Sequence, residues 1–295
     1  MIIKNLSLTL IASSIILTSC GNHEDAKSEM DDAKIDSTLS VVDSVSIEET
    51  DQEVSYNLPS ALQIAYVFKK SGAPFMPNLL NSIANVNKYN TSNYKRATNF
   101  GVYSSDLAYC LFSKKYQESK NYLKACKEVG GFLGLNQAFD GDNMAQRFDK
   151  NISIEDSVVK IVSNIQLKTD VMFEQNKQKY ITVIAFAGAW TESVFIASEV
   201  YAKEKNKKVL TNLLEQLELS STIIKALKGC EKSESEIPGL IAAIEKINTA
   251  FNSIEALKKV SESDEDVDYS TISVKDEELK AVTSAITELR KQIIE

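Results

Sequence analysis

From residue 60 onward, apolar positions recur at intervals of three and four, the period of a helix with one buried face. Asn57 or Ser60 as cap and Pro59 in the first turn predict a helix to about Lys70, with Leu62, Ile64, Tyr66 and Phe68 as its apolar residues. SGAPFMP at 71–77 breaks it, and a second helix is expected over 78–87 with Leu79, Leu80, Ile83 and Val86 inward. KYNTSN reads as a loop, after which Thr91 or Ser92 can cap a longer helix through FGVYSSDLAYCLF. A turn at Lys114-Lys115 leads into YQESKNYLKACKEVGGFL, whose apolar face is Tyr122, Leu123, Val129 and Leu133.

Residues 134–150 are interrupted by Gly134, Asp140 and Gly141, with a short helix near NMAQRF. Ser153 with Asp156 three positions on has the form of a capping box for SIEDSVVKIVSNIQLKTDVMFEQ. A helix over 178–205 follows, then one each for LTNLLEQLELSSTIIKAL and IPGLIAAIEKINTAFNSIEALKKV. A last helix, capped by Ser273, places Leu279, Val282, Ile286, Leu289 and Ile293 on a narrow seam suited to a partner helix of this or another chain. No segment alternates with period two between turn signals. The expected fold is all-α: a multi-helix bundle of antiparallel helical hairpins.

Composition agrees, with only 10 Gly and 4 Pro in 295 residues. The net charge of −8 conceals a partition. Residues 20–55 carry 11 acids against 2 lysines, whereas 56–260 carry 20 acids against 26 bases. A second acidic run, SESDEDVD, spans 261–268. No dense basic stripe with interleaved aromatics occurs, so no nucleic-acid partner is expected.

The N-terminus reads as an address. Lys4 precedes the apolar run LSLTLIASSIILTS, which is too short and too rich in Ser and Thr for a stable span. Leu17-Thr18-Ser19-Cys20 resembles the lipobox of bacterial lipoproteins. The resemblance implies cleavage before Cys20 and lipidation of that thiol, a firm anchor at about 0.8 kcal/mol per buried methylene. The segment after Cys20 is polar and acidic without a sustained period, a disordered tether averaging about 30–35 Å end to end. Its acids (Glu24-Asp25, then Asp31-Asp32) loosely resemble the surface-export signal of Bacteroidota lipoproteins. The expected organisation is a signal peptide at 1–19, an acidic tether at 20–55 and a helical domain at 56–295. Within the last, 261–274 form an acidic linker before a C-terminal amphipathic helix. The expected location is the outer membrane, on its periplasmic face or at the cell surface.

Three cysteines remain, Cys110, Cys126 and Cys230. If Cys110 and Cys126 lie on consecutive antiparallel helices turning near Lys115, they stand about 9 Å apart along the axis, beyond disulfide reach. Buried free thiols are expected.

Two segments echo one another. FGVYSSDLAY at 100–109 and AGAWTESVFI at 187–196 align on Gly101 and Gly188. Each then runs small apolar residue, aromatic (Tyr103, Trp190), hydroxyl (Ser104, Thr191) and an acid within two residues (Asp106, Glu192). They are either an internal repeat of helical hairpins or a chance likeness of apolar helices. A glycine inside a helix costs about 1 kcal/mol relative to alanine, so close helix approach is its ordinary reason. Trp190 and Glu192 sit in FAGAWTESVFIA, which Thr191, Glu192 and Ser193 disqualify as a membrane span. It reads as core first. Its second reading is one wall of an inter-helix pocket lined by Gly101, Tyr103, Asp106, Gly188, Trp190 and Glu192. A buried Glu192 would need a basic partner such as Arg96, Arg147 or a lysine.

Candidate chemistry is sparse. The only histidine, His23, lies in the tether, so the folded domain has no histidine-based acid–base set, Ser-His-Asp triad or typical zinc site. No phosphate-binding loop or dinucleotide fingerprint occurs. FDGDN at 139–143 gathers oxygen ligands, but an EF-hand loop begun at Asp140 would require a glutamate where Asn151 stands, so a surface turn is preferred. No metal, cofactor or catalytic residue is expected. KKYQESKNYLKACKEVG resembles the second helix of a tetratricopeptide repeat at Tyr116, Glu118, Ser119, Tyr122 and Ala125, without a recurring 34-residue period.

Taken together, the lipobox, the acidic tether, FGVYSSDLAY with its hairpin and GAWTESVFIA are similar to helical lipoproteins of Bacteroidota, a family that brings no activity to carry over. The expected function is a lipid-anchored binding or interaction module, with a protein or a small ligand as partner. The alternatives are a carrier with a pocket between the glycine helices and a hydrolase using Asp106 with Glu192.

Overall fold

The computed structural model describes residues 45–49, 52–56, 60–261 and 267–295. The expected signal peptide at 1–19, Cys20, His23 and most of the expected tether lie outside the described residues. The architecture is an all-α bundle. Its helices are α1 (Ala61–Ser71), α2 (Asn93–Phe112), α3 (Tyr116–Phe132), α4 (Asn136–Asp140), α5 (Met144–Asn151) and α6 (Glu155–Gln175). They continue with α7 (Lys179–Glu204), α8 (Lys207–Glu218), α9 (Ser220–Gly229), α10 (Ile237–Asn252), α11 (Glu255–Ser261) and α12 (Asp276–Ile294).

The apolar residues of α7 occupy its whole circumference, and a helix of that kind must be surrounded. It is long and apolar enough to cross a bilayer by length and composition, yet 89% of its most apolar stretch is buried inside the protein. Its widest contact is with α2; α1, α8 and α12 complete the ring. On the far side of α2 lies α3, and α4, α5 and α6 form an outer layer. The seam of α12 docks on its own chain: Leu279, Val282, Ile286, Leu289 and Ile293 are all buried, chiefly against α10 and α7.

The local signals divide cleanly. Ser60 and Gln63 form a reciprocal capping box at the start of α1, and Gly72 closes that helix in the left-handed conformation. Ser92 caps α2 through the Lys95 N–H. The box expected at Ser153 does not form, because α6 starts at Glu155 with Ile154 as an uncapped cap residue. Likewise α12 begins after Lys275, not Ser273; the Glu278 carboxylate takes the Lys275 N–H at 3.2 Å and the Glu255 N–H at 2.7 Å.

Three expected helices are interrupted, the first two where buried side chains bond the backbone. The segment 78–87 contains two 3-10 stretches, Pro77–Leu79 and Ile83–Tyr89. Arg290 donates to the Leu79 carbonyl, Tyr122 to that of Asn81 and Tyr103 to that of Ser82, while the Asn81 N–H binds Asp106. These long-range bonds hold the segment in place of a regular helical ladder, although the Ser82 carbonyl still accepts the Asn85 N–H as well. The second interruption is at Leu219, between α8 and α9. There Trp190 takes the Gln216 carbonyl and Ser220 that of Leu217. The third divides α10 from α11 at Ser253 and Ile254.

Two segments expected to lack structure have some. Val45–Glu49 and Gln52–Tyr56 pair as a two-stranded antiparallel ribbon, with Val45 opposite Tyr56, and the first strand runs beside α7 and α9. This corrects the end of the tether, whose remainder lies outside the described residues. In the acidic linker, Tyr269 and Ile272 are buried and Tyr269–Thr271 makes a 3-10 turn against α8. Residues 262–266 are not among those described.

Candidate functional site

The two glycines that align in the sequence meet in the fold. A Cβ on Gly101 would lie 1.8 Å from the Ala185 carbonyl oxygen, and one on Gly188 would lie 2.1 Å from that of Thr98. Each glycine therefore sits on the residue three positions before the other, a reciprocal contact of α2 and α7 made backbone to backbone. The flanking residues keep the same correspondence. Ser104 donates to the Phe100 carbonyl and Thr191 to that of Ala187, each at 2.7 Å and each to the residue before its glycine. Tyr103 donates to the Ser82 carbonyl and Trp190 to that of Gln216, both at 2.8 Å. The sequence echo is thus a structural one. It corrects the pocket reading, since helices in contact at their backbones leave no space for a ligand. Gly101, Tyr103, Asp106, Gly188, Trp190 and Glu192 are all buried, and none lines the groove described below.

The two acids meet beyond the crossing, at a third element. Glu192, 0% exposed, receives two hydrogen bonds from Arg290 of α12, Nε to Oε2 and Nη2 to Oε1, both at 2.7 Å. The basic partner that a buried Glu192 requires is therefore Arg290, and not Arg96 or Arg147. Arg96 instead bonds the side chains of Asn90 and Asn93. Arg290 Nη2 also reaches the Leu79 carbonyl at 2.7 Å, and the Phe195 ring centre lies 4.0 Å from its Cζ, a cation–π contact.

Asp106 lies beside this pair. Its Oδ2 accepts the Asn81 N–H at 3.1 Å, and its other oxygen receives no hydrogen bond from the protein. Two buried carboxyls face one guanidinium, and two adjacent negative charges cannot both persist in a dry interior. Burial first, and the charge of Glu192 second, push Asp106 well above the carboxylate range, against the pull of Arg290 and the Asn81 N–H. Asp106 is therefore the carboxyl of the two that favours the protonated form. Glu192 is the charged partner of Arg290. Tyr103 and Tyr122 close the cluster, their hydroxyls raised by burial.

The cysteines are free and buried as expected, with burial raising Cys126 and Cys230 to about 12. Asp140 of FDGDN pairs with Lys127, and no metal-binding group of acids, histidines and cysteines occurs among the described residues.

A second place differs in every respect. Between α3 on one side and α4, α5 and α6 on the other lies an open groove of about 730 Å³. Leu123, Phe139 and Ile165 form its floor. Lys120, Lys124 and Lys127 of α3 stand along one wall at i, i+4 and i+7. Sequence reading missed it, because its walls come from four separate elements whose apolar residues are individually ordinary. The lysine spacing in KNYLKACK was the one available signal.

No known protein family, no curated protein and no solved structure matches the chain.

Proposed function

We propose that the protein is a lipid-anchored binding module of the outer membrane, and that its binding surface is the α3–α6 groove. The observation that carries this reading is the groove itself, an apolar floor beneath a lysine wall, open to solvent. The Asp106–Glu192–Arg290 cluster serves as a structural clamp. A carboxylate pair acting on a glycoside needs access to substrate and water, and this pair is buried and occupied by Arg290. The anchor rests on the likeness of Leu17-Thr18-Ser19-Cys20 to a lipobox and lies outside the described residues.

The groove is tested by chemical-shift mapping of a soluble form with Cys20→Ala against a panel of apolar and amphipathic compounds. The expected result is perturbation confined to α3–α6. Perturbations around Trp190, or none at all, would overturn the assignment. Mass spectrometry of the mature N-terminus checks the anchor, with an acylated Cys20 as the expected species.

A further inference from the structure

The groove's polar groups form a pattern more specific than its volume. Two of the three wall lysines are tied across the groove by exposed ion pairs. Lys120 reaches Asp149 of α5 at 3.0 Å, and Lys127 reaches Asp140 at the end of α4. Lys124 stands between them in the same wall and makes no ion pair or hydrogen bond among the described residues. Leu123, Phe139 and Ile165 are buried apolar residues of the same lining. Glu128, one turn along α3, also faces the groove and opposes any second negative charge.

We propose that the groove binds a single-chain amphiphile with one negative charge, such as a long-chain carboxylate. Its headgroup would meet Lys124 and its chain would lie on Leu123, Phe139 and Ile165. The inference rests on the groove being the binding surface. The arrangement selects the charge in both directions. An ammonium head would meet the repulsion of Lys124, and the second charge of a dianion would face Glu128, because Lys120 and Lys127 are already paired with Asp149 and Asp140. A neutral chain gains the apolar floor but leaves Lys124 unpaired.

Isothermal titration of the full mature chain carrying Cys20→Ala, so that its own acyl groups do not compete, decides the matter. Dodecanoate, dodecanol and dodecyltrimethylammonium are the probes, each kept below its micellar concentration. Dodecanoate should bind about tenfold more tightly than dodecanol, the value of one charge-assisted hydrogen bond, and the ammonium probe should not bind. Lys124→Gln should erase the preference for dodecanoate, and Glu128→Gln should strengthen it. Ala145→Trp, which fills the groove from an exposed lining position, should abolish binding of dodecanoate and of dodecanol while leaving the melting temperature unchanged. Equal binding of dodecanoate and dodecanol, unaffected by Lys124→Gln but lost in Ala145→Trp, would overturn the anionic head while leaving the groove as a site. Failure of every probe to bind, or binding that Ala145→Trp does not change, would overturn the groove reading itself.

Discussion

The α2–α7 crossing and the α3–α6 groove both bring acids and bases together, yet they place them under opposite conditions. At the crossing, Glu192 is fully buried and the Arg290 side chain is 13% exposed, with two hydrogen bonds holding them in register. In the groove, Lys120 and Asp149 are each nearly half exposed and meet through a single contact. Water competes with the second pair and not with the first. A charge that water can reach is exchangeable and can be offered to a ligand. A charge sealed by its own partners is committed to the fold.

Five substitutions would break or sharpen that contrast. The largest effect belongs to Gly101→Ala or Gly188→Ala, since either methyl group would occupy the position of a backbone carbonyl. Each should cost about 4 kcal/mol or more, read as a collapse of the denaturation midpoint. Glu192→Gln should cost about 3–5 kcal/mol by leaving the Arg290 charge uncompensated, measured by urea unfolding. A loss below about 1 kcal/mol would mean that the pair is not sealed.

Asp106→Asn should be nearly neutral at low pH, because the amide is uncharged like the protonated acid and keeps an oxygen for the Asn81 N–H. With rising pH the two proteins should part. Above the ordinary value of 3.8 the unfolded chain has lost a proton that folded Asp106 keeps, so wild-type stability falls with pH until the raised folded value is passed. The variant lacks that contribution to the slope and becomes relatively more stable as pH rises. Its infrared spectrum at neutral pH should also lack the wild type's protonated-carboxyl band. The smallest effect is that of Lys120→Gln, about 0.2–1 kcal/mol and reduced further by salt, because its ion pair is exposed.

The sequence made the helical class legible through its three-and-four spacing, and it showed that α12 would bury a narrow seam. It also showed the two glycines and the two acids that accompany them. Gly101 and Gly188 stood out because helix interiors avoid glycine, so their shared reason, a close crossing, could be read before the fold was known. What it concealed lay in long-range claims on the backbone. Nothing near residue 80 announces that Arg290, Tyr103, Tyr122 and Asp106 take up its peptide groups. The 3-10 geometry there consequently looked like a plain helix. Arg290 itself was hidden, sitting about a hundred residues from its partner on a helix whose apolar seam drew attention first. Ser153 shows the converse, a cap signal in sequence that the preceding turn leaves unused.

The peptide groups of residues 79–82 also bear on the order in which the molecule assembles. Their partners come from α2, α3 and α12, and Arg290 is separated from Leu79 by 211 positions. The same distant helix is held at its end by earlier residues: Tyr89 donates to the Ile294 carbonyl, Asn99 to that of Ile293 and Lys95 to that of Gln292. Contacts of such sequence separation form late, because the loop they close must be ordered first. During synthesis, α2 and α7 can cross as soon as both have emerged, but Glu192 then has no counter-charge. The buried acid lacks its counter-charge until residue 290 arrives, so the crossing gains its full stability only once α12 has docked.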